Sequence, residues 1–109
     1  MNINAQSRED LARNQSEQQF FIHVADIIER QLKEWNTDYR VYIMKLTNYE
    51  LTVSNKDLVF QIEISEEELK LLQGCDPYAL DRKIWNSLKS QGLAIQEGIG
   101  NYIDTVLTI

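Results

Sequence analysis

RVYIMKLTNYELTVSNKDLVFQIEI, residues 40–64, decides the fold. It reads as three β-strands in succession. From Tyr39 to Leu46 the chain is rich in β-branched and aromatic residues, the composition that suits a pleated, half-buried surface. Val41 and Ile43 point to one side of this strand; Tyr42, Met44 and Leu46 point to the other. Both sides are apolar, which predicts a strand covered on both faces and not an exposed edge. Thr47-Asn48 is turn-prone. Tyr49, Leu51 and Val53 then alternate with Glu50, Thr52 and Ser54, and Leu58, Phe60, Ile62 and Ile64 form the inward side of a third strand. One wet face and one dry face is the pattern of an antiparallel sheet. The tightest turn is expected at Asn55-Lys56, since Asn tolerates positive φ.

Working outward, residues 20–35 are helical in period. Phe20, Phe21, Val24, Ala25, Ile27, Ile28, Leu32 and Trp35 share one broad arc, while Asp26, Glu29, Arg30 and Lys33 fall outside it. Ile22 stands alone among the polar residues. Ser16 with Gln19 makes a capping box that starts this helix near Glu17. Residues 1–15 are polar and read as an arm, frayed helix or disordered, ahead of a single α+β domain over residues 16–109. After Ile64, Ser65 with Glu68 makes a second capping box, with Glu66, Glu67 and Glu68 where a helix dipole favours negative charge. Gly74 is expected to close that short helix, and Asp76-Pro77 to open another that buries Leu80, Ile84, Trp85 and Leu88. Gly92 stops it. Residues 93–101 read as a connection and residues 102–109 as a final strand. The expected fold is an α+β two-layer sandwich of order α-β-β-β-α-α-β. Its antiparallel sheet has about four strands, the three-strand meander plus the C-terminal strand, with helices on one face.

A chain of 109 residues with 43% hydrophobic and 26% charged content has the size and composition of one globular domain. Its net charge of −6 argues against nucleic-acid binding and against docking on anionic membranes, both of which rest on Lys and Arg. One cysteine, Cys75, excludes an internal disulfide and fits a reducing compartment. The N-terminal residues lack the pattern of a secretory signal, and a cytoplasmic location is the expectation.

Little in the sequence speaks for catalysis. His23 is the single histidine, with Asp26 and Arg30 on its side of the helix and no nucleophile placed to use it. Cys75 precedes an expected helix N-terminus, which would favour a thiolate, but no second cysteine accompanies it. The consecutive carboxylates Glu66, Glu67 and Glu68 diverge by 100° per residue and do not converge on a metal. Gly98-Ile99-Gly100 lacks the remaining features of a phosphate loop. No catalytic, cofactor-binding or metal-binding residue is therefore assigned, and no cofactor.

The expectation is a non-enzymatic, acidic protein-binding protein: an adaptor, regulator or chaperone-like factor. The candidate contact residues are Phe20, Phe21, Val24, Ile28 and Trp35 on the over-wide helical stripe and Tyr78, expected near the surface. In element order and acidity the chain resembles the small acidic secretion chaperones, although it lacks their final strand and helix. Those proteins usually dimerise, and a homodimer through the Phe20 to Trp35 helix or the edge of the C-terminal strand is expected here. Two alternatives stand beside this reading: an acidic mimic of nucleic acid that inhibits a basic-groove enzyme, and a small enzyme using Cys75 or His23.

Overall fold

A computed structural model describes residues 5–96 and 102–107. The elements run α1 (Ala5–Asn14), α2 (Glu17–Trp35), β1 (Arg40–Lys45), β2 (Tyr49–Asn55), β3 (Leu58–Ile64), α3 (Glu66–Cys75), α4 (Ala79–Ser90) and α5 (Tyr102–Leu107). The protein is thus α+β, with a three-stranded antiparallel sheet of order β1-β2-β3 and five helices among the described residues.

The meander forms as its alternation requires. Tyr49 pairs with Ile64, Leu51 with Ile62 and Val53 with Phe60, and all six are buried. The turn lies one residue later than expected. Asn55 pairs with Leu58, so Lys56 and Asp57 make the turn and Lys56 takes the positive φ, 55°. The pairing gives the reason. A turn at Asn55-Lys56 would shift β3 by two residues and carry Ile64 past the end of β2, whereas the observed register pairs Ile64 with Tyr49.

The capping box at Ser16 forms with both of its bonds, and Ser65 caps the next helix through its own side chain. Ser16 Oγ accepts from the Gln19 amide at 3.2 Å, and Ser65 Oγ accepts from the Glu68 amide at 3.1 Å. Gly92 follows α4 with φ 104°, a conformation that favours glycine. The polar arm is ordered as α1 over residues 5–14 and is tied down at several points. Gln73 Nε2 donates to the Ala12 and Gln15 carbonyls, at 2.8 and 2.9 Å, and Arg8 reaches α4.

Three expectations are corrected. Gly74 does not end α3; the helix continues through Cys75, with Asp76 as its C-cap. Asp76 is not the N-cap of α4. Its Oδ1 accepts from the Tyr78 amide at 2.8 Å, a side-chain-supported turn, and Tyr78 is the cap residue. Residues 102–107, expected as strand, are helical. Tyr102, Ile103 and Val106 are buried there, a spacing of one, three and four that serves one face of a helix as well as a strand face serves Ile103 and Leu107. Burial among the helices decided between the two patterns. The fourth strand and the element order that included it are therefore absent among the described residues. Gly98, Gly100 and Ile109 lie outside them.

α2 runs against β1 and α4 against β3. The core draws Phe20, Phe21, Val24, Ile28 and Leu32 from α2, the inward residues of β2 and β3, and Leu80, Ile84, Trp85 and Leu88 from α4. No helix among the described residues is long and apolar enough to cross a membrane.

Candidate functional site

The candidate site is the free edge of β1 with the flank of α2 beside it. The backbone parity of β1 follows from two bonds. The Leu46 amide donates to the Asn48 carbonyl at 3.1 Å, closing the hairpin to β2. The Val41 amide turns the other way and donates to Glu29 Oε2 at 3.0 Å. Ladder bonds alternate along an antiparallel strand. Arg40, Tyr42 and Met44 therefore bond β2, and the amides and carbonyls of Val41, Ile43 and Lys45 face outward along an edge that no other strand among the described residues covers.

Exposed apolar side chains surround this edge. Tyr42, Ile43, Met44 and Leu46 range from 40% exposed at Ile43 to 68% at Leu46, and Ile22 of α2 is 45% exposed. Ile22 and Ile43 together line two shallow hollows between helix and strand, of about 150 and 180 Å³. The hollows differ in charge. The first is bounded by Lys45, the second by Asp26 and Glu29.

The opposite edge of the sheet is treated differently. At β3, Gln91 Oε1 accepts from the Gln61 amide at 3.1 Å and Gln91 Nε2 donates to the Gln61 carbonyl at 2.9 Å. One side-chain amide takes the place of a neighbouring strand at Gln61 and blunts the middle of the edge, while Leu58 and Val59 at its start stay exposed.

The contact residues expected from the sequence lie elsewhere. Phe20, Phe21, Val24, Ile28 and Tyr78 are buried, and Trp35 is half-buried against Trp85, with ring centroids 5.6 Å apart. The whole wide stripe of α2 is consumed inside the molecule because α3 and α4 pack on it as well as β1. Tyr78, expected near the surface, is 4% exposed, under the Arg8 guanidinium at 4.9 Å. β1, expected to be covered, is an edge strand. The sequence did carry a sign of the exposed flank: Ile22 is the one apolar residue on the polar side of α2, and Tyr42, Met44 and Leu46 are apolar opposite Val41 and Ile43.

The groups with catalytic potential are scattered. Cys75 is exposed at the C-terminal end of α3, the negative end of a helix and not the positive end that the sequence suggested. It borders an open hollow of about 450 Å³ with Glu9, Arg13 and Lys70. The strongest polar cluster is buried and closed on itself. Arg8 Nη1 and Nη2 grip Asp81 Oδ1 and Oδ2 at 2.6 and 2.9 Å, Nη1 also donates to the Pro77 carbonyl at 3.0 Å, and the Tyr102 hydroxyl donates to Asp81 Oδ2. Trp85 Nε1 donates to the Tyr102 oxygen at 3.1 Å. Burial works against the Arg8 charge, but the hydrogen bond and attraction of Asp81 outweigh it and raise its pKa. Burial, then the neighbouring Asp81 charge, pushes the Tyr102 phenol well above its usual value. No group of three or more His, Cys, Asp or Glu among the described residues could hold a metal ion.

His23 sits half-buried, with Arg8, Asp81, Asp26 and Arg30 acting on it. Burial, then the charge of Arg8, lowers its pKa below 6.5. The native protein therefore resists protonating His23, while the unfolded chain takes up the proton near pH 6.5. Its contribution to stability is complete above that pH and is lost as pH falls towards the lowered native value. Between about pH 7.5 and pH 5.5 the wild type is expected to lose more thermal stability than His23→Gln. Equal losses in the two proteins, measured by thermal unfolding, would remove His23 as the source.

Comparison with protein-family models, with curated proteins and with solved structures finds no match.

Proposed function

We propose that this chain is a non-enzymatic protein-binding protein whose contact surface is the β1 edge and the α2 flank beside it. The observation that carries the reading is the contrast between the two sheet edges. β3 has Gln61, the middle of its three outward residues, capped by Gln91 and exposes Leu58 and Val59 only at its start, whereas β1 leaves Ile43 and Lys45 with outward backbone groups amid exposed Ile22, Tyr42, Met44 and Leu46. An exposed apolar edge is an aggregation hazard in a free protein unless something covers it. An extended segment added to such an edge is held by backbone bonds, while hollows for alternate side chains select its sequence. A role as adaptor, regulator or chaperone-like factor agrees with this surface.

The charge-mimic alternative gains no comparable observation. Acidic side chains are interleaved with bases: Asp26 with Arg30, Glu66 with Lys45, Glu17 with Lys70 and Glu68 with Lys83. They do not form one uninterrupted anionic face.

A photo-crosslinking residue at position 44, compared with one at exposed position 89, tests the surface in native lysate. Adducts specific to position 44 and abolished by Ile43→Pro are expected. Adducts of equal yield at both positions would overturn the assignment.

A further inference from the structure

We infer that the β1 edge is self-complementary and pairs two copies of this chain about a two-fold axis at Ile43, making one continuous antiparallel sheet. The inference rests on the reading of this edge as a contact surface and names its occupant.

Parity restricts the possible registers. Two antiparallel strands exchange bonds only through residues whose backbone groups face outward, here Val41, Ile43 and Lys45. An axis at Lys45 would set two ammonium groups against each other, an axis at Val41 would run past the end of β1, and an axis at Tyr42 or Met44 would bond only two of the three outward residues within β1. An axis at Ile43 uses all three residues. It pairs Ile43 with Ile43 of the second copy, and Val41 with Lys45 of the second copy at both ends, for about six backbone bonds.

The same axis accounts for the side chains. On the outer face, Tyr42 falls opposite Met44 of the second copy, so the two exposed residues cover each other. On the helix side, the Ile22 residues meet near the axis beside the Ile43 pair. The charges match as well. The Lys45 end of the groove is brought to the Asp26 and Glu29 end of the other copy. Glu29, which holds the Val41 amide in the single chain, exchanges that bond for the incoming Lys45 ammonium, which leaves Glu66 of its own chain to reach it. The freed amide takes the carbonyl of the new strand. The surface is small, so association in the micromolar range and above is expected.

Sedimentation equilibrium on the full chain, from about 10 to about 500 µM, is the test. The wild type is expected to shift from the one-chain mass towards twice that mass. Ile43→Pro removes an outward amide and the Ile43 side chain, a change an edge strand tolerates; it is expected to stay monomeric with an unchanged circular dichroism spectrum. Lys45→Glu and Glu29→Lys place like charges across both ends of the interface, and each is expected to be monomeric alone. Mixed together, they are expected to recover association, because each end of the mixed pair then joins a base to an acid. This recovery in trans cannot arise from misfolding. A wild type that stays monomeric throughout, or self-association indifferent to Ile43→Pro and to the charge exchange, would overturn the inference. If the wild type is monomeric but position 44 still gives its specific adduct with another protein, the surface stands and its occupant is that protein. If neither occurs, both readings fail.

Discussion

Replacing Arg8 by Ala is expected to lower the free energy of unfolding by about 3–5 kcal/mol, out of proportion to a residue in a short N-terminal helix. Asp81 is 0% exposed on α4, and its carboxylate relies on the two guanidinium bonds together with the Tyr102 hydroxyl. Without Arg8 a buried charge loses its counter-charge and cannot reach water, because α4 is held by the core contacts of Leu80, Ile84 and Leu88. Removing the other partner should cost less. In Asp81→Ala the orphaned charge is on α1, which can swing outward and hydrate Arg8 by giving up the Gln73 bonds to the Ala12 and Gln15 carbonyls. Urea unfolding of both variants checks this asymmetry. The double variant Arg8→Met with Asp81→Leu, which leaves no charge behind, should recover much of the loss. Equal costs for the two single variants would show that α1 does not act as a detachable latch.

Trp85→Ala is expected to cost about 3–5 kcal/mol. The indole is fully buried between Trp35 and Tyr102, with centroids at 5.6 and 6.3 Å, and its N–H donates to the Tyr102 oxygen. Truncation opens a cavity where α2, α4 and α5 meet. It also withdraws a donor from the hydroxyl that serves Asp81. Trp85→Phe keeps most of the volume and loses the donor, and should cost about 1–2 kcal/mol. Denaturant unfolding of the pair separates packing from hydrogen bonding. Equal losses would assign the whole effect to the N–H. α5 should loosen in Trp85→Ala, since it is held to α4 through Tyr102 and through the bond from Arg82 Nε to the Val106 carbonyl at 2.9 Å. Faster amide exchange over residues 102–107 is the expected sign.

What was legible in the chain follows from local chemistry. The alternation of Tyr49, Leu51 and Val53 with polar residues allows only one inward face. Ser16 with Gln19, and Ser65 ahead of its glutamates, satisfy amide groups within their own first turns. Those features need no knowledge of distant residues, and they formed as read. The turn at Lys56-Asp57 was misplaced because preference at Asn55 is weak beside the pairing of Tyr49 with Ile64. Residues 102–107 were misread as strand because six residues with apolar positions at mixed spacing fit either period, and packing on α4 decided.

The candidate site was the least legible part, for the same physical reason. An apolar residue has the same hydropathy whether it ends in a core or on a surface. The stripe of α2 read as core with an excess that could serve as a contact face, and α3 and α4 filled the excess. The two-sided apolar pattern of β1 looked like burial, but among the described residues no strand or helix covers Tyr42, Met44 and Leu46. By itself the sequence determined the α+β class, the meander, the caps, the acidity and the single cysteine, all set by composition or by neighbours a few residues apart. Only the tertiary structure decided that Arg8 is locked to Asp81 across 73 positions, that Gln91 caps Gln61 on one sheet edge, and that on the other Glu29 takes the Val41 amide while the backbone groups of Ile43 and Lys45 face outward. Each depends on which distant surfaces meet, and packing the whole chain settles that at once.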